Sequence, residues 1–409
     1  MTTTAISEAF AKQTGKASEG RAVIVIQDTS TVNFSGHSEY LDAADKDLGP
    51  VGSEGGMGFF IHPSIVLDEA NGTLLGASDI YIWNRTHDKA GKHERQYQKQ
   101  PISEKESYRW IAAAQRSKEV LNEATSILFI ADREADIYEE LYQVPDHRSH
   151  VLIRCKENRL LYDSNEKLYE TIASQTPAGK ISVNVREANK RKAREATLTI
   201  KYCKVRIARP KNHADKTVIP AYIDLYGLEV RETAETVPHG DKPISWILLT
   251  DKEITNLEDA LYFIKCYGLR WQIELVFGTM KSNGLNLEDS ELESGKALKV
   301  MAVMSFITAL RVNQLRLARN DTSLPAKIIF SDSQIALLHS LIKTLEGRTE
   351  IQKNPYPPET IAWAVWAIAR LGGWKGYSKS ESPPGNKTMH WGWNDFNRIY
   401  QGWSLNNNN

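Results

Sequence analysis

Cysteine is scarce in this chain: its 409 residues hold only Cys155, Cys203 and Cys266. An odd number so widely spaced gives neither a disulfide framework nor a zinc-binding pattern, so a reducing compartment is expected. Long apolar runs are missing as well. The longest, IAWAVWAIA, stops at Arg370, well short of a membrane span, and the opening MTTTAISEAFAKQTGK lacks the apolar core of a signal peptide. There is no excess charge of one sign, because 51 basic side chains balance 51 acidic ones. That balance excludes a surface coated in positive potential for nucleic acid. No G-x-G-x-x-G, Walker loop or H-E-x-x-H is present, and GGMG at Gly55 to Gly58 is too weak a signal for a phosphate cradle. What remains is an ordinary globular composition, long enough for a large core and two or three structural units.

Apolar patterning divides the chain. Residues 1–20 are polar and are expected as a flexible arm. RAVIVIQD, TVNFS, GMGFFIHPSIVLD and TLLGASDIYIW read as strands over residues 21–83, the last two joined at the hairpin signal Asn71-Gly72. The polar, glycine-rich piece between Gly36 and Gly58 reads as a loop. A helix is expected from Ser103 to about Ala124, followed by the strand SILFIAD, a short helix and the strand HVLIRCK. Between Lys180 and Thr250 apolar residues alternate, as in ATLTIKYCKV, which predicts strands. One helix is expected from about Asn256 to Lys281, another from about Gly295 to Ala318, and more over 330–371. The expectation is an α/β chain: a core over 21–180 and 251–320, a β-rich insertion over 181–250, and a helical C-terminal region over 321–409.

The chemistry-bearing residues fall at the ends of these segments. Tyr267, Arg270, Glu274 and Lys281 form the pattern Y-x2-R-x3-E-x6-K within YGLRWQIELVFGTMK. On one continuous helix the four side chains point into one arc of roughly 60°. A carboxylate so flanked can hold a metal while its neighbours grip a phosphate. The plainer reading is a solvated helix face, with Arg270 and Lys281 in ion pairs and Tyr267 in the core. Asp28 ends RAVIVIQD and Asp132 ends SILFIAD, so each follows an apolar strand. Taken singly, the first could start a turn and the second could cap the following helix.

Together these residues carry a family resemblance. The four-residue spacing resembles the Y-R-E-K signature of DDE transposases of bacterial insertion sequences, the cut-and-paste group typified by the kanamycin transposon. ADREADIYE is very similar to that family's block around its second aspartate. EKESYRW (Glu104 to Trp110), SWILLTD (Ser245 to Asp251) and IARLGGWKGYSKS (Ile368 to Ser380) resemble further family blocks, in family order along nearly the whole chain.

The resemblance implies an RNase H-like core in which Asp28, Asp132 and Glu274 are the catalytic, metal-binding triad. Two Mg2+ ions, with Mn2+ as substitute, would lie about 4 Å apart with Asp28 bridging them. Water would nick the DNA, and the freed 3′ hydroxyl would attack next. By the same resemblance Tyr267, Arg270 and Lys281 bind a phosphate near the 5′ end of the non-transferred strand. Trp246 and Trp271 would receive a base taken out of the stack, and Arg154 would contact the hairpin region of the DNA. The implied partners are double-stranded DNA, as transposon ends and target, and a second copy of the chain in a homodimeric synaptic complex. No membrane partner is implied, and the implied location is the bacterial cytoplasm, at the nucleoid. The basic residues Arg186, Lys190, Arg191, Lys192, Arg194, Lys201, Lys204, Arg206 and Arg209 lie where the family carries its β insertion near DNA, and backbone contact is expected of them.

The sequence departs from the family pattern in two respects, one of them Gly278 inside the motif helix, at a cost of roughly 1 kcal/mol relative to alanine. Only 27 residues precede Asp28, where the family has a small helical domain that binds transposon ends. Two other readings therefore stand beside a transposase: a short inhibitor that pairs into unproductive dimers, and a stand-alone RNase H-like nuclease.

Overall fold

The computed structural model describes residues 2–42, 44–52, 56–86, 100–185, 187, 192–211, 213, 216–282, 284–376 and 382–407. Along the chain run α1 (Thr3–Ala17), β1 (Ala22–Gln27), β2 (Ser30–Asn33), β3 (Gly49–Val51), β4 (Gly56–Asp68) and β5 (Leu74–Trp83). Then come α2 (Tyr108–Val120), β6 (Ser126–Ala131), α3 (Tyr138–Gln143), β7 (Ser149–Arg154) and α4 (Leu168–Ala173). The strands β8 (Gly179–Val185), β9 (Arg194–Ala208), β10 (Tyr222–Glu232) and β11 (Ser245–Thr250) follow. The remainder is helical: α5 (Leu257–Gly268), α6 (Trp271–Lys281), α7 (Gly295–Ala318), α8 (Asp332–Leu345), α9 (Ile361–Leu371) and α10 (Asn386–Asn407). The chain forms two compact units. The first comprises Met1–Glu19, Thr29–His87 and Trp271–Asn409, and the second Gly20–Asp28 and Asp88–Arg270.

The second unit is a sheet with strand order β1-β6-β7-β11-β10-β9-β8. β1, β6 and β7 are parallel, and their apolar runs are buried almost throughout, as strands covered on both faces require. β7 pairs antiparallel with β11, and β11 through β8 continue antiparallel. The strands expected as an insertion are thus hydrogen-bonded into the same sheet as β1, β6 and β7. Sequence alternation predicts strands but not their partners, which hydrogen bonds between distant segments choose.

In the first unit, β4 and β5 form the expected hairpin, with Gly72 at φ +74° in the turn. β2 and β3 pair with β4. The stretch expected as a flexible arm is instead helix α1. Thr2 caps it by accepting from Ala5 N at 3.2 Å, and Phe10, Ala11 and Thr14 share its buried face. It docks on β5 at Gly76, where a Cβ atom would meet Thr14 Oγ1 at 2.1 Å. That approach lets Ala77 N donate to the Thr14 hydroxyl at 3.0 Å. Thr14 is polar in sequence and buried in the fold, which is why composition alone suggests an arm. The supposed loop after Gly36 also holds the short strand β3 and a 3-10 turn at Ser35–Tyr40. The helix expected from Ser103 begins later, at Tyr108.

α9 is buried along nearly its whole length and, with α8 and α10, forms an apolar cluster around Trp363, Trp366, Phe330 and Phe396. At Gly392 a Cβ would meet Ile368 O at 1.8 Å, so α10 crosses α9 backbone to backbone. Trp393 packs on Phe330 at 5.8 Å, whereas Trp391 is exposed. Tyr377 to Ser380, the end of the C-terminal family block, lies outside the described residues. No helix among the described residues is long and apolar enough to cross a membrane.

The single helix expected from Asn256 to Lys281 is two. Asn256 caps α5 by accepting from Asp259 N at 3.0 Å, and Glu258 and Asp259 complement the dipole of its first turn. After Gly268 the backbone tightens, with Leu269 N bonded to Cys266 O at 3.1 Å and Arg270 N to Tyr267 O at 3.0 Å. Helix resumes at Trp271. Glycine costs roughly 1 kcal/mol relative to alanine inside a helix, so Gly268 is a natural breaking point. The motif is therefore divided between two helical segments. Tyr267 and Arg270 span a 3-10 turn, in which residues three apart eclipse, and Glu274 and Lys281 share a face of α6.

Candidate active site

β1 and β6 are in register from Ala22 opposite Ser126 to Ile26 opposite Ile130. Two more residues along, Asp28 falls opposite Asp132, on strands about 5 Å apart. Arg154 ends β7, the next parallel strand, and pairs with Leu248 of β11. Since β11 runs the other way, its first residues, Ser245 and Trp246, return to this same edge, and Arg154 Nη2 donates to Ser245 O at 3.1 Å. Tyr267, at the end of α5, meets Trp246 edge-on at 5.5 Å. Arg270 Nη1 donates to Asp28 Oδ2 at 2.9 Å, with both side chains largely buried. Thus Asp28, Asp132, Arg154, Trp246, Tyr267 and Arg270 all belong to the second unit. Trp271, Glu274 and Lys281 belong to the first.

The electrostatics of the second unit's edge are mixed in sign. The Tyr267 hydroxyl is buried beside the Arg154 guanidinium. Burial raises its pKa; Arg154 and Arg270 pull it down, and Asp132 adds to the rise. Gln27 Nε2, one residue before Asp28, is a buried polar atom without a hydrogen-bond partner among the described residues. The donor chemistry fits a hard divalent cation, because aspartate carboxylates end adjacent parallel strands and oxygen ligands suit magnesium and manganese. Within either unit, no three acidic, histidine or cysteine side chains are gathered closely enough to hold a metal ion, among the described residues.

Several of these residues make ordinary structural contacts. Asp132 caps the turn after β6, its Oδ1 accepting from Glu134 N at 2.9 Å. Arg270 and Lys281 are ion-paired, to Asp28 and to Glu288 at 3.2 Å. Trp271 is 62 % exposed and so is not a core residue.

Several residues of the expected basic contact surface also make contacts within the protein. Arg194 makes a bidentate pair with the buried Glu232, its Nη2 lying 2.9 and 2.8 Å from the two carboxylate oxygens. Arg206 pairs with Asp163 and Asp224, Arg209 donates to Lys216 O and Ile219 O, and Lys201 donates to Ala173 O. These cations are engaged by the protein's own acceptors, a role that spacing along the chain cannot show. Arg186, Lys190 and Arg191 lie outside the described residues.

Sequence reasoning also missed Asp136, in the ADREADIYE string. Its Oδ2 accepts from Lys156 N and Glu157 N at 2.7 and 2.8 Å, and its Oδ1 from Arg159 Nη2 at 2.6 Å. It thereby ties the turn after Asp132 to the chain leaving β7 just beyond Arg154. Nearby Glu140 is fully buried, and neither carboxylate oxygen has a hydrogen-bond partner among the described residues. Burial pushes its pKa up to about 8, against the pull of Arg109. An acid raised in the folded state holds its proton more tightly there than when unfolded. Its stabilising influence is therefore complete below the unfolded value near 4.5 and is lost as pH rises toward 8. Glu140→Gln should flatten this pH dependence and melt higher than the wild type at pH 8 and above. Thermal melts from pH 5 to 9 test it, and parallel pH profiles for the two proteins would contradict it.

A family model described as a transposase DDE domain matches residues 59–311, more than half of the chain. The matched span contains Asp132 and the whole Tyr267 to Lys281 motif and begins after Asp28. With carboxylates ending adjacent parallel strands of a mixed α/β chain, consistent with an RNase H-like core, this chain belongs to the DDE transposase family.

Proposed function

We propose that this protein is a cut-and-paste transposase of the Y-R-E-K group, which hydrolyses and transfers phosphodiester bonds at transposon ends with Mg2+ or Mn2+. The observation that carries the reading is the register of β1 and β6, which sets Asp28 opposite Asp132 beside Arg270, Tyr267 and Arg154. Asp28, Asp132 and Glu274 are the residues that would hold the metal. When bound, a divalent cation supplies Lewis-acid stabilisation of charge on the attacking and leaving oxygens.

The chain's own residues do the rest. Arg270 presents a planar fork to a phosphate, Lys281 a point charge, and Tyr267 a hydroxyl donor. The Arg270 contact to Asp28 offsets the carboxylate's charge. Trp271, exposed at the start of α6, and Trp246, beside Tyr267, offer ring faces to an unstacked base. Two copies of the chain would pair two transposon ends, so the working form is a homodimer on DNA.

The reading is tested with the full chain and a supercoiled plasmid carrying its gene and flanking DNA. Nicked circles should form with Mg2+ and not with EDTA, and Glu274→Gln should suppress them. Cleavage that persists in EDTA, or in the Gln variant, would overturn it.

A further inference from the structure

Lys281, at the end of α6, is docked against β2. Phe34 N donates to Met57 O of β4, so in β2 the alternate residues Thr31 and Asn33 turn their backbone groups outward. Lys281 Nζ donates to Thr31 O, and Glu288, in the 3-10 turn Leu287–Asp289, accepts from Asn33 N at 2.9 Å through Oε1. The same Oε1 lies 3.2 Å from Lys281 Nζ. The ion pair thus caps the bare edge of β2, and one carboxylate oxygen serves both the strand and the ammonium. Both side chains keep partial exposure, 26 and 31 %, so an incoming anion has access to the ammonium.

We infer that Glu288 gates Lys281: its carboxylate holds the ammonium where a DNA phosphate must bind, and phosphate engages by displacing it. This rests on the proposed role of Lys281 as a phosphate ligand. The physical reasoning is one of competition. A carboxylate and a phosphate oxygen are interchangeable partners for an ammonium, and binding DNA here includes breaking an existing pair. Glu288 therefore weakens unselective DNA binding through Lys281 and favours duplexes whose other contacts offset the exchange. The residue governs selectivity through Lys281.

Glu288→Gln isolates the charge, because the amide oxygen still accepts from Asn33 N and the β2 edge stays capped. The probe is a fluorescein-labelled duplex of arbitrary sequence, bound in EDTA and followed by anisotropy across a salt series. Glu288→Gln should bind about three- to tenfold more tightly at low salt, with a salt slope steeper by about one phosphate contact. The tightening should vanish in a Lys281→Ala background and persist in Lys281→Arg, with melting curves that overlay the wild type's. If Lys281→Ala weakens binding but Glu288→Gln leaves it unchanged or weaker, Glu288 merely positions the lysine and the gate is overturned. If Lys281→Ala has no effect, both the gate and the DNA role of Lys281 fall. Metal-dependent nicking remains a separate readout of the proposed activity.

Discussion

Asp132→Asn is expected to reduce metal-dependent nicking by at least about a thousandfold, roughly 4 kcal/mol of transition-state stabilisation. The substitution is nearly isosteric. Its amide oxygen can still accept from Glu134 N, the bond that caps the turn after β6, so the local backbone should hold. What it removes is one of two negative charges ending adjacent parallel strands, opposite Asp28 in register. Asp28 is already partly compensated by Arg270, so Asp132 is the stronger source of attraction for a cation at this edge. Two measurements separate the effects. Nicking rate should collapse while the melting temperature stays near that of the wild type, and affinity for Mn2+ should fall in parallel with activity. Unchanged nicking would remove Asp132 from the catalytic set and leave it as a helix cap.

Asp136→Ala should be the most damaging substitution to stability, by about 3–5 kcal/mol. The Asp136 carboxylate is fully buried and its partner Arg159 nearly so, 2.6 Å apart. Removing the carboxylate strands a guanidinium and also orphans the N–H groups of Lys156 and Glu157. The melting temperature of the second unit should drop by on the order of 10 °C. Asp136→Leu combined with Arg159→Met should lose much less than the sum of the single changes, because no buried charge is left unpaired. A loss below about 1 kcal/mol for Asp136→Ala would show that the buried pair is not what ties the turn to β7. Since that tie lies just beyond Arg154, surviving Asp136→Ala protein should also handle DNA poorly.

Much of this molecule was legible in its sequence because the responsible forces are local. Apolar β-branched runs announced β1, β6 and β7, and Asn71-Gly72 announced the β4–β5 turn. The expected limits of α7, about Gly295 and Ala318, are those observed. Asp28 and Asp132 were found for the same reason, since each is the first polar residue after a buried strand. The motif spacing singled out Tyr267, Arg270, Glu274 and Lys281 but gave no sign of the 3-10 turn that divides the expected helix.

Contacts between distant segments decided the rest. Thr14 meeting Gly76 turned a polar N-terminal stretch into the docked helix α1. The pairing of β11 with β7 carried four further strands into the β1-β6-β7 sheet. Arg194 found Glu232, Arg159 found Asp136, and Lys281 found Glu288, pairings that spacing along the chain does not show. Hydrophobic periodicity and turn chemistry act over a few residues, and the sequence alone determined what they control: the strands, most of the helices and the carboxylates that end the strands. Which buried charge meets which partner depends on desolvation and on distances across the folded chain, and only the tertiary structure could decide that.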